Sequence, residues 1–465
     1  MKLRRWQDEC LNLALSHYSR HRHFLCLATP GAGKSILAAE LARRMIDRRQ
    51  IDLVVCFSPS VTVAEGLRLV MEERLARRLD GALGAAGGSY TYQSLMFFKP
   101  EFWSMLDHHR VLVIFDEIHH CSGTTPDNAN AWGEEILLRI QEKAAFTLAL
   151  TGTPWRSDKA PIVLSRYLGP EGRIQVDYQY GLQEAIRDGV CRTPRISLIE
   201  NDHVSITGPG SKIRMFSSLS DLFAEEGSAY SALILQEQAI RYMLALASTR
   251  LARIRHSNPA AAGLVVAASV NHAKRIAQLL QADGQQVTVV SYHHPDSAAA
   301  IQKFRSGTSG WIVSVGMISE GTDIPRLQVC CYLSPIKTEL HYRQVLGRVL
   351  RRTATTNQEA WLYTFAEPKL VEYANRIAED LPEVKVVVRD TPPRQKTPLV
   401  LLMSDHSIQD NNVNLPQIVP NKVNPDGIPS ETHIATVGKA TWESMYSWGT
   451  FRETVIATFN SPFHS

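Results

Sequence analysis

Short, uninterrupted apolar runs recur along the first third of this chain and constrain its fold more than any other feature. They are FLCLA (24–28), LVVCF (53–57), VLVIF (111–115) and FTLAL (146–150), and helical patterns separate them. Runs of this kind are typical of strands buried on both faces of a parallel sheet. Because parallel strands need crossover connections, we predict an α/β domain with a parallel sheet.

A second series of apolar runs predicts a second α/β domain. It contains AGLVVAAS (262–269), QVTVVSY (286–292), GWIVSVG (310–316) and VCCYLS (329–334). The length of 465 residues also exceeds what one ordinary core accommodates. We predict four regions: a first lobe (1–175), a helical linker (176–260), a second lobe (261–375) and a C-terminal extension (376–465), which is proline-rich between 391 and 429 and therefore loop-like there.

The composition limits the class of protein but does not identify a binding partner. The 50 basic and 46 acidic side chains leave a net charge of +4, which neither requires nor excludes nucleic acid. The seven cysteines form no CxxC pair, so neither a zinc ribbon nor an iron–sulfur cluster is indicated. Scattered thiols and the lack of an apolar run near ~18 residues predict a cytoplasmic protein without a membrane span.

The stretch LCLATPGAGKSILAAELARRM (25–45) has the pattern of a strand, a glycine-bearing turn and an amphipathic helix. Such a turn brings backbone N–H groups to a phosphate at the positive end of the helix. A lysine can then bind the β and γ phosphates, and a serine hydroxyl can bind Mg²⁺. The strict GxxxxGKS pattern has glycine where Ala28 stands, and an incidental glycine turn is the alternative. The predicted ATP-contacting residues here are Pro30, Gly31, Ala32, Gly33, Lys34 and Ser35.

The run VLVIF continues into DEIHHCSG (116–123), two acids followed by two histidines. Ligands of α/β sheets bind at the carboxyl ends of the strands, so these acids should share a crevice with Lys34. Asp116 is then predicted to hold Mg²⁺, and Glu117 to orient and deprotonate the attacking water. A polar rim of the sheet is the alternative, although adjacent buried carboxylates without a cation are costly. His119, His120 and Cys121 lack the distant ligands of a zinc site, and His120 has no assigned role.

The group DEIH following ATPGAGKS resembles the DExH group of superfamily 2 helicases and translocases. Further stretches match the order of that family's motifs: RRWQ (4–7), FSPSVTVAEG (57–66), TYQSL (91–95), LTGTPWR (150–156), VVAASVNHAKRIAQLL (265–280), SEGTDIP (319–325) and QVLGRVLRR (344–352). The resemblance implies two tandem RecA-like lobes with parallel sheets. The stretches GTPWR, EAIRDGVCR (184–192) and EGTDIPRLQVCCYLSP look most like the restriction-helicase and XPB-type branch, which acts mainly on duplex DNA. DEAD-box RNA unwinders would have Asp at position 119 and SAT at 151–153.

The resemblance also implies roles for individual residues. Arg4 and Gln7 would contact adenine, and Gly321 and Asp323 the ribose. Hydrolysis would be coupled to the nucleic acid by His119, Thr151, Thr153 and Gln344. The nucleic acid would be contacted by Ser58, Gln93, Ser269, Thr322 and Trp155, although an aromatic residue in the position of Trp155 is more often a packing residue. Arg348 and Arg351 are three residues apart on a helical pattern, which predicts that they project from one face. If the lobes close over ATP, both guanidinium groups would stabilise charge on the γ-phosphate.

The function predicted from these features is that of an ATP-dependent DNA helicase or duplex translocase. The alternatives are an RNA-dependent helicase and the motor subunit of a larger restriction, defence or repair assembly, with a protein partner bound through residues 390–465. The aromatic residues of that tail could instead pack on the second lobe; they are Trp442, Tyr446, Trp448, Phe451 and Phe459. Glu383 and Lys385 have the E-x-K spacing of nucleases, but a charged surface strand is the simpler interpretation.

Overall fold

The computed structural model describes residues 2–457 except 155, 157, 159, 171, 209–211, 292–295, 317–323, 354–357, 380–385, 389–404, 409–443 and 448–449. The chain divides into two units. The first comprises Met1–Val190 with Pro382–Thr397, and the second comprises Cys191–Leu381 with Pro398–Ser465. Several predicted features lie outside the described residues: Trp155, Gly321, Thr322, Asp323, Glu383, Lys385, Trp442, Trp448, Phe459 and most of the proline-rich stretch.

Helices and strands alternate along most of the described chain. The α-helices are α1 (Arg5–His17), α2 (Lys34–Asp47), α3 (Val61–Leu75), α4 (Pro100–Trp103), α5 (Met105–His108), α6 (Ala131–Glu135), α7 (Leu182–Arg187), α8 (Leu219–Glu225), α9 (Ala229–Leu233), α10 (Glu237–Ser257), α11 (Val270–Ala282), α12 (Ser297–Ser306), α13 (Glu339–Val349) and α14 (Pro368–Ala378). Short 3₁₀ helices span Tyr92–Phe97, Ile118–His120 and Pro126–Asn128, and a π-helical turn spans Ile136–Ile140.

The strands are β1 (His23–Ala28), β2 (Leu53–Ser58), β3 (Gly87–Thr91), β4 (Val111–Asp116), β5 (Phe146–Thr151), β6 (Arg166–Leu168), β7 (Arg173–Val176), β8 (Tyr178–Tyr180), β9 (Thr193–Asn201), β10 (Val204–Gly208), β11 (Lys212–Phe216), β12 (Ala262–Ala267), β13 (Val287–Ser291), β14 (Trp311–Val315), β15 (Leu327–Leu333), β16 (Glu359–Phe365), β17 (Val386–Val388), β18 (Asp405–Ile408), β19 (Ser444–Ser447) and β20 (Phe451–Ala457).

The first unit is built on a parallel sheet of order β3-β2-β4-β5-β1-β8. Every residue of β4 is buried, as expected for an apolar run covered on both faces. The register pairs Leu27 of β1 with Thr151 of β5, and Leu150 with Asp116 of β4. The carboxyl ends of these three central strands therefore lie side by side. The predicted α/β fold with a parallel sheet is confirmed.

The second unit has a sheet of order β13-β14-β12-β15-β16-β9-β20-β18. Its first six strands are parallel, whereas β20 runs antiparallel to both β9 and β18. Both units thus have the RecA-like α/β architecture. A smaller sheet of order β11-β10-β19 belongs to the same unit, and one of order β17-β7-β6 belongs to the first.

The division of the chain differs from the predicted helical linker over 176–260. The helical pattern in that region does form α10, but β9 lies inside the second sheet between β16 and β20. The strand belongs there because its side chains are mostly buried by neighbours distant in sequence. The tail contributes as well: Phe451 is buried and its ring stacks on Tyr242 with centroids 4.8 Å apart. For this residue the packing alternative is the one observed.

A buried carboxylate joins the helix that follows the glycine turn to the next helix. Glu40 of α2 is only 2% exposed and accepts hydrogen bonds from Arg43 (2.8 Å), Arg44 (2.9 Å) and Arg74 of α3 (2.6 Å). These arginines, with the bonds from Arg43 foremost, lower the pKa of Glu40 from 4.5 to about 2. The charged form of Glu40 therefore stabilises the folded state.

Glu40→Gln is expected to lower the free energy of unfolding by about 2 kcal/mol at pH 7. The pKa is depressed on folding, so this stabilisation is complete above pH 4.5 and is lost as the pH falls towards 2. Urea denaturation at pH 7 and below pH 4 measures both effects. Glu73→Gln, at an exposed position of α3, should change little. If the loss of unfolding free energy in Glu40→Gln did not change with pH, the lowered pKa of Glu40 would be contradicted.

Candidate active site

A tight loop connects β1 to α2 and leads directly into the amino end of that helix. Gly31 and Gly33 have φ angles of 83° and 93°, in the left-handed region that favours glycine. A Cβ on Gly33 would also lie close to Nε2 of Gln7, at 3.0 Å, but it is the left-handed conformation that favours glycine here. Lys34 is the first residue of α2, and its Nζ donates to the carbonyl oxygen of Ala28 (3.2 Å). The loop has the geometry expected of a phosphate-binding turn.

The two acids stand at the carboxyl end of β4. Asp116 is its last residue, and its carbonyl oxygen accepts a hydrogen bond from the hydroxyl of Tyr92 (2.8 Å). Glu117 has φ 52° and ψ 53°, a left-handed conformation that is strained for a residue with a side chain. Its Oε1 lies 3.3 Å from Nζ of Lys34. The strained turn thus brings the glutamate to the lysine of the loop.

The neighbouring carboxyl groups have pKa values displaced in opposite directions. Burial, and next the charge of Glu117, raise the pKa of Asp116 to about 6. Burial also acts to raise the pKa of Glu117, but the charge of Lys34, followed by that of His119, outweighs it and lowers this pKa. Glu117 therefore carries the negative charge at the lysine, whereas Asp116 is a buried carboxyl group that a cation would stabilise in its ionised form.

Hydrogen bonds continue from Glu117 to the end of β5. His119 is 1% exposed; its Nδ1 lies 2.9 Å from Oγ1 of Thr151 and 3.4 Å from Oε2 of Glu117. The Thr151 hydroxyl donates to the carbonyl oxygen of Thr153 (2.8 Å), so it accepts from His119, whose Nδ1 carries the proton. Gly152 N–H donates to Oε2 of Glu117 (3.3 Å). Three residues predicted to couple the sites therefore lie in one network with Glu117.

The oxygen ligands near Asp116 suit Mg²⁺ better than a metal ion that is coordinated entirely by protein side chains. No group of three or more His, Cys, Asp and Glu side chains able to hold a metal occurs among the described residues. Mg²⁺ commonly uses one or two protein oxygens, water and substrate phosphates. The buried carboxyl group of Asp116 and the half-buried hydroxyl of Ser35, second residue of α2, are oxygens of that kind. These residues fit a magnesium ion that is shared with a bound triphosphate.

The structure places Arg4 and Gln7 against the loop. Gln7 is 1% exposed; its Nε2 donates to the carbonyl oxygen of Gly33 (2.9 Å), and its Oε1 accepts from the backbone N–H of Arg4 (2.9 Å). Nη1 of Arg4 donates to the carbonyl oxygen of Ala32 (2.6 Å). Both side chains hold the shape of the phosphate loop, and their contact with adenine stays a prediction.

The residues predicted to contact nucleic acid have different surroundings. Gln93 is exposed on the 3₁₀ helix Tyr92–Phe97. Ser58 is fully buried, so its side chain does not reach a surface where nucleic acid could bind. This corrects the prediction that Ser58 contacts nucleic acid. Ser269 caps α11, with its Oγ accepting from the backbone N–H of His272 (3.2 Å).

One prediction about the arginines is wrong. Gln344 and Arg348 lie one turn apart in α13, but α13 ends at Val349, and Arg351 lies beyond it in an antiparallel bridge with Cys191. Arg348 and Arg351 therefore do not share a helical face. A helical pattern in sequence does not reveal where a bridge to a distant segment ends the helix.

Sequence reasoning missed two residues that support the network. The Tyr92 hydroxyl holds the carbonyl oxygen of Asp116, and Nη1 of Arg156 donates to the carbonyl oxygen of His119 (2.6 Å). Arg156 ends the stretch LTGTPWR, which was a usable signal. Tyr92 lies in the stretch TYQSL (91–95), but its contact with the backbone of a distant strand could not be read from that stretch.

Comparison with protein families agrees with this geometry. Residues 1–156 match the family of the type III restriction enzyme, res subunit, and residues 245–353 match the helicase conserved C-terminal domain. The chain belongs to helicase superfamily 2. Its two matched domains are those of helicase and restriction-enzyme motors, and the resemblance stated from the motifs is confirmed.

Relatives of this superfamily 2 chain include proteins of unknown and known activity. An uncharacterised protein of Mycobacterium tuberculosis (strain ATCC 25618 / H37Rv) is 32% identical over 397 residues, which cover 81% of this chain and 63% of that protein. An uncharacterised protein of Mycobacterium leprae (strain TN) is 30% identical over 391 residues, covering 81% and 64%. The DNA 3'-5' translocase XPB2 of Sulfurisphaera tokodaii is 23% identical over 383 residues, covering 76% and 79%. The chain thus spans under two thirds of the mycobacterial relatives.

Solved structures support the superfamily 2 fold. The ATP-dependent type ISP restriction-modification enzyme LlaBIII bound to DNA matches with a TM-score of 0.53 at 12% identity, covering 84% of this chain and 32% of that one. A fragment of a putative HsdR subunit of a type I restriction enzyme from Vibrio vulnificus YJ016 also gives 0.53, at 17% identity, covering 82% and 68%. Within the described residues, no helix is long and apolar enough to cross a bilayer.

Proposed function

We propose that this chain is an ATP-dependent motor that moves along DNA, as a helicase or duplex translocase. The observation that carries the proposal is the network of Lys34, Glu117, His119 and Thr151 at the carboxyl edge of the first sheet. Within hydrogen-bonding distances it joins the lysine that would bind phosphate, the charged carboxylate that would act as base, and the buried pair His119 and Thr151. Such an arrangement suits hydrolysis of a triphosphate that must be sensed elsewhere in the protein.

In this proposal the phosphate loop binds ATP through its N–H groups and Lys34. Asp116 and Ser35 would hold Mg²⁺, which neutralises charge on the phosphates. Glu117 orients the attacking water and accepts its proton. A triphosphate would compete for the ammonium of Lys34, which is the main group lowering the pKa of Glu117. The carboxylate then becomes a stronger base when substrate is bound.

The remaining predicted roles follow the superfamily and form part of the proposal. His119, Thr151, Thr153 and Gln344 would couple hydrolysis to movement. Arg348 and Arg351 would take part in hydrolysis, and Gly321 and Asp323 would bind the ribose. The track would be contacted by Gln93, Ser269, Thr322 and Trp155. Backbone and hydroxyl contacts to phosphates read no sequence, so we expect sequence-tolerant binding.

A second candidate function is that of the motor subunit of a larger restriction, defence or repair assembly. Two findings favour it: the match to the res subunit family of type III restriction enzymes, and the greater length of the mycobacterial relatives. Residues 390–465 would then include a docking segment, although Phe451 is already buried in the second unit. The two candidates share the same motor chemistry.

ATP hydrolysis measured with matched duplex DNA, single-stranded DNA and RNA at several salt concentrations tests the proposal. Duplex DNA is expected to stimulate hydrolysis most, with an effect that weakens as salt rises. Lys34→Ala should lower the stimulated rate by about 10²- to 10³-fold, because it removes a cation from the phosphates. Lys143→Ala is a matched control, since this exposed lysine pairs with Asp107 (2.9 Å) on the surface.

Two results would overturn the proposal. One is hydrolysis that no nucleic acid stimulates, together with a Lys34→Ala variant as active as the native chain. The other is stimulation by RNA alone, which would replace DNA as the track and support the RNA-dependent alternative.

A further inference from the structure

A buried arginine lies in the segment that connects α7 to β9. Arg192 is 0% exposed, and its guanidinium group makes its hydrogen bonds to uncharged oxygens. Nη1 donates to the carbonyl oxygens of Leu327 (2.6 Å) and Val349 (3.1 Å). Nη2 donates to the carbonyl oxygen of Pro325 (3.1 Å) and to the hydroxyl of Thr353 (3.1 Å). One side chain thus contacts two separate stretches of the second unit, residues 325–327 and 349–353.

The carboxyl end of a helix offsets the free-energy cost of burying this positive charge. Val349 is the last residue of α13, whose final carbonyl groups lack partners within the helix and carry its negative dipole end. The backbone N–H of Arg192 also donates to the carbonyl oxygen of Leu350 (2.7 Å), and Cys191 forms a bridge with Arg351. Residues 191 and 192 therefore provide hydrogen-bonding partners for the backbone at the carboxyl end of α13.

The same guanidinium group fixes a second segment relative to that helix end. Leu327 is the first residue of β15, and Pro325 is the last residue of the stretch SEGTDIP (319–325). Burial, and secondly the charge of Arg352, lower the pKa of Arg192 to about 9, so the group is still a cation at neutral pH. Arg348 lies in the last turn of α13, one residue before the carbonyl that Arg192 holds.

We infer that Arg192 is a positioning residue for ATP hydrolysis, which acts by fixing the carboxyl end of α13 and thereby Arg348. The inference rests on the proposed function, which gives Arg348 its role in hydrolysis. Arg192 touches neither substrate nor reacting atoms in this scheme; its effect passes through Arg348. A displacement of about 1 Å in a group that stabilises charge in the transition state costs about 10²-fold in rate.

The test is the nucleic-acid-stimulated ATPase of the full chain carrying Arg192→Gln. We expect kcat to fall by about 10²-fold. The KM for ATP should stay within a few-fold, because Lys34 and the phosphate loop belong to the first unit. Arg192→Lys keeps the cation at the helix end but cannot bridge both stretches, so its kcat should lie between those of Arg192→Gln and the native chain.

Arg255→Gln is the matched control. Arg255 also donates to backbone carbonyl oxygens of the second unit, those of Ala261 (2.8 Å) and Thr308 (3.2 Å), and burial lowers its pKa as well. Neither partner belongs to α13. Thermal unfolding shows how much stability each variant loses, and rates are compared at a temperature where both are folded. Arg255→Gln should lose stability but keep its kcat.

A double-mutant cycle separates positioning from a general loss of structure. In an Arg348→Ala background, Arg192→Gln should lower kcat by little more, because the group it positions is already gone. A normal kcat for Arg192→Gln, or losses that multiply in the double variant, would overturn the inference. Should Arg192→Gln not fold, Arg192→Lys takes its place in the cycle, and a native kcat for that variant is equally decisive. A failure of the proposed function looks different, since Lys34→Ala and Arg348→Ala would then hydrolyse ATP normally.

Discussion

Glu117→Gln is expected to bind ATP at least as well as the native chain and to hydrolyse it about 10²- to 10⁴-fold more slowly. The amide cannot accept the proton of the attacking water, which explains the loss of rate. It also removes the charge that lies 3.3 Å from Nζ of Lys34, so the ammonium remains available to the phosphates. Equilibrium binding of ATP and single-turnover hydrolysis measure the two effects separately.

Two variants serve as comparisons for Glu117→Gln. Glu134→Gln, at an exposed position of α6, should hydrolyse ATP at the native rate. Asp116→Asn should weaken the Mg²⁺ dependence of ATP binding, an effect that Glu117→Gln should not share. A native rate of hydrolysis by Glu117→Gln would show that this glutamate is not the base. Loss of ATP binding would contradict the expectation that removing its charge leaves Lys34 available to the phosphates.

Arg348→Ala is expected to lower kcat by about 10³-fold or more while changing the KM for ATP by less than tenfold. A guanidinium group that meets the γ-phosphate stabilises charge that develops only in the transition state, so its loss affects the chemical step more than binding. Steady-state hydrolysis at saturating DNA, over a range of ATP concentrations, gives both constants.

The comparison for this variant is Arg241→Ala, which removes a partly exposed arginine paired with Glu237 (2.9 Å) on α10. It should leave both constants unchanged. Arg348→Lys retains a charge but not the planar fork of donors, and an intermediate kcat is expected. If Arg348→Ala keeps the native kcat, the hydrolytic role of this arginine is wrong.

The features that could be predicted from the sequence are those specified by neighbouring residues. Uninterrupted apolar runs such as VLVIF predict strands buried on both faces, and the glycines of ATPGAGKS permit the left-handed turn found at Gly31 and Gly33. The ends of parallel strands lie at one edge, so the proximity of Lys34 and Glu117 could be expected without coordinates.

The features that escaped prediction depend on contacts between distant segments. The strand β9 pairs with two strands whose residues are 166 (β16) and 250 to 262 (β20) positions away in sequence. Arg351 leaves the helical face because its backbone pairs with Cys191, and Ser58 is buried by residues that no local pattern identifies. Arg192 ends the stretch EAIRDGVCR (184–192), but that stretch does not indicate that the guanidinium group is buried against distant carbonyl oxygens.

By itself the sequence determined the two α/β domains, the phosphate loop and the position of the acids at a strand end, because backbone preferences and hydrophobic periodicity act over a few residues. Only the tertiary structure decided the left-handed turn at Glu117, the hydrogen bond between His119 and Thr151, and the burial of Arg192 against the end of α13. Hydrogen bonds depend on distances of a few ångströms between groups that the chain separates by tens to more than a hundred residues. Such distances exist only once the sheets have formed.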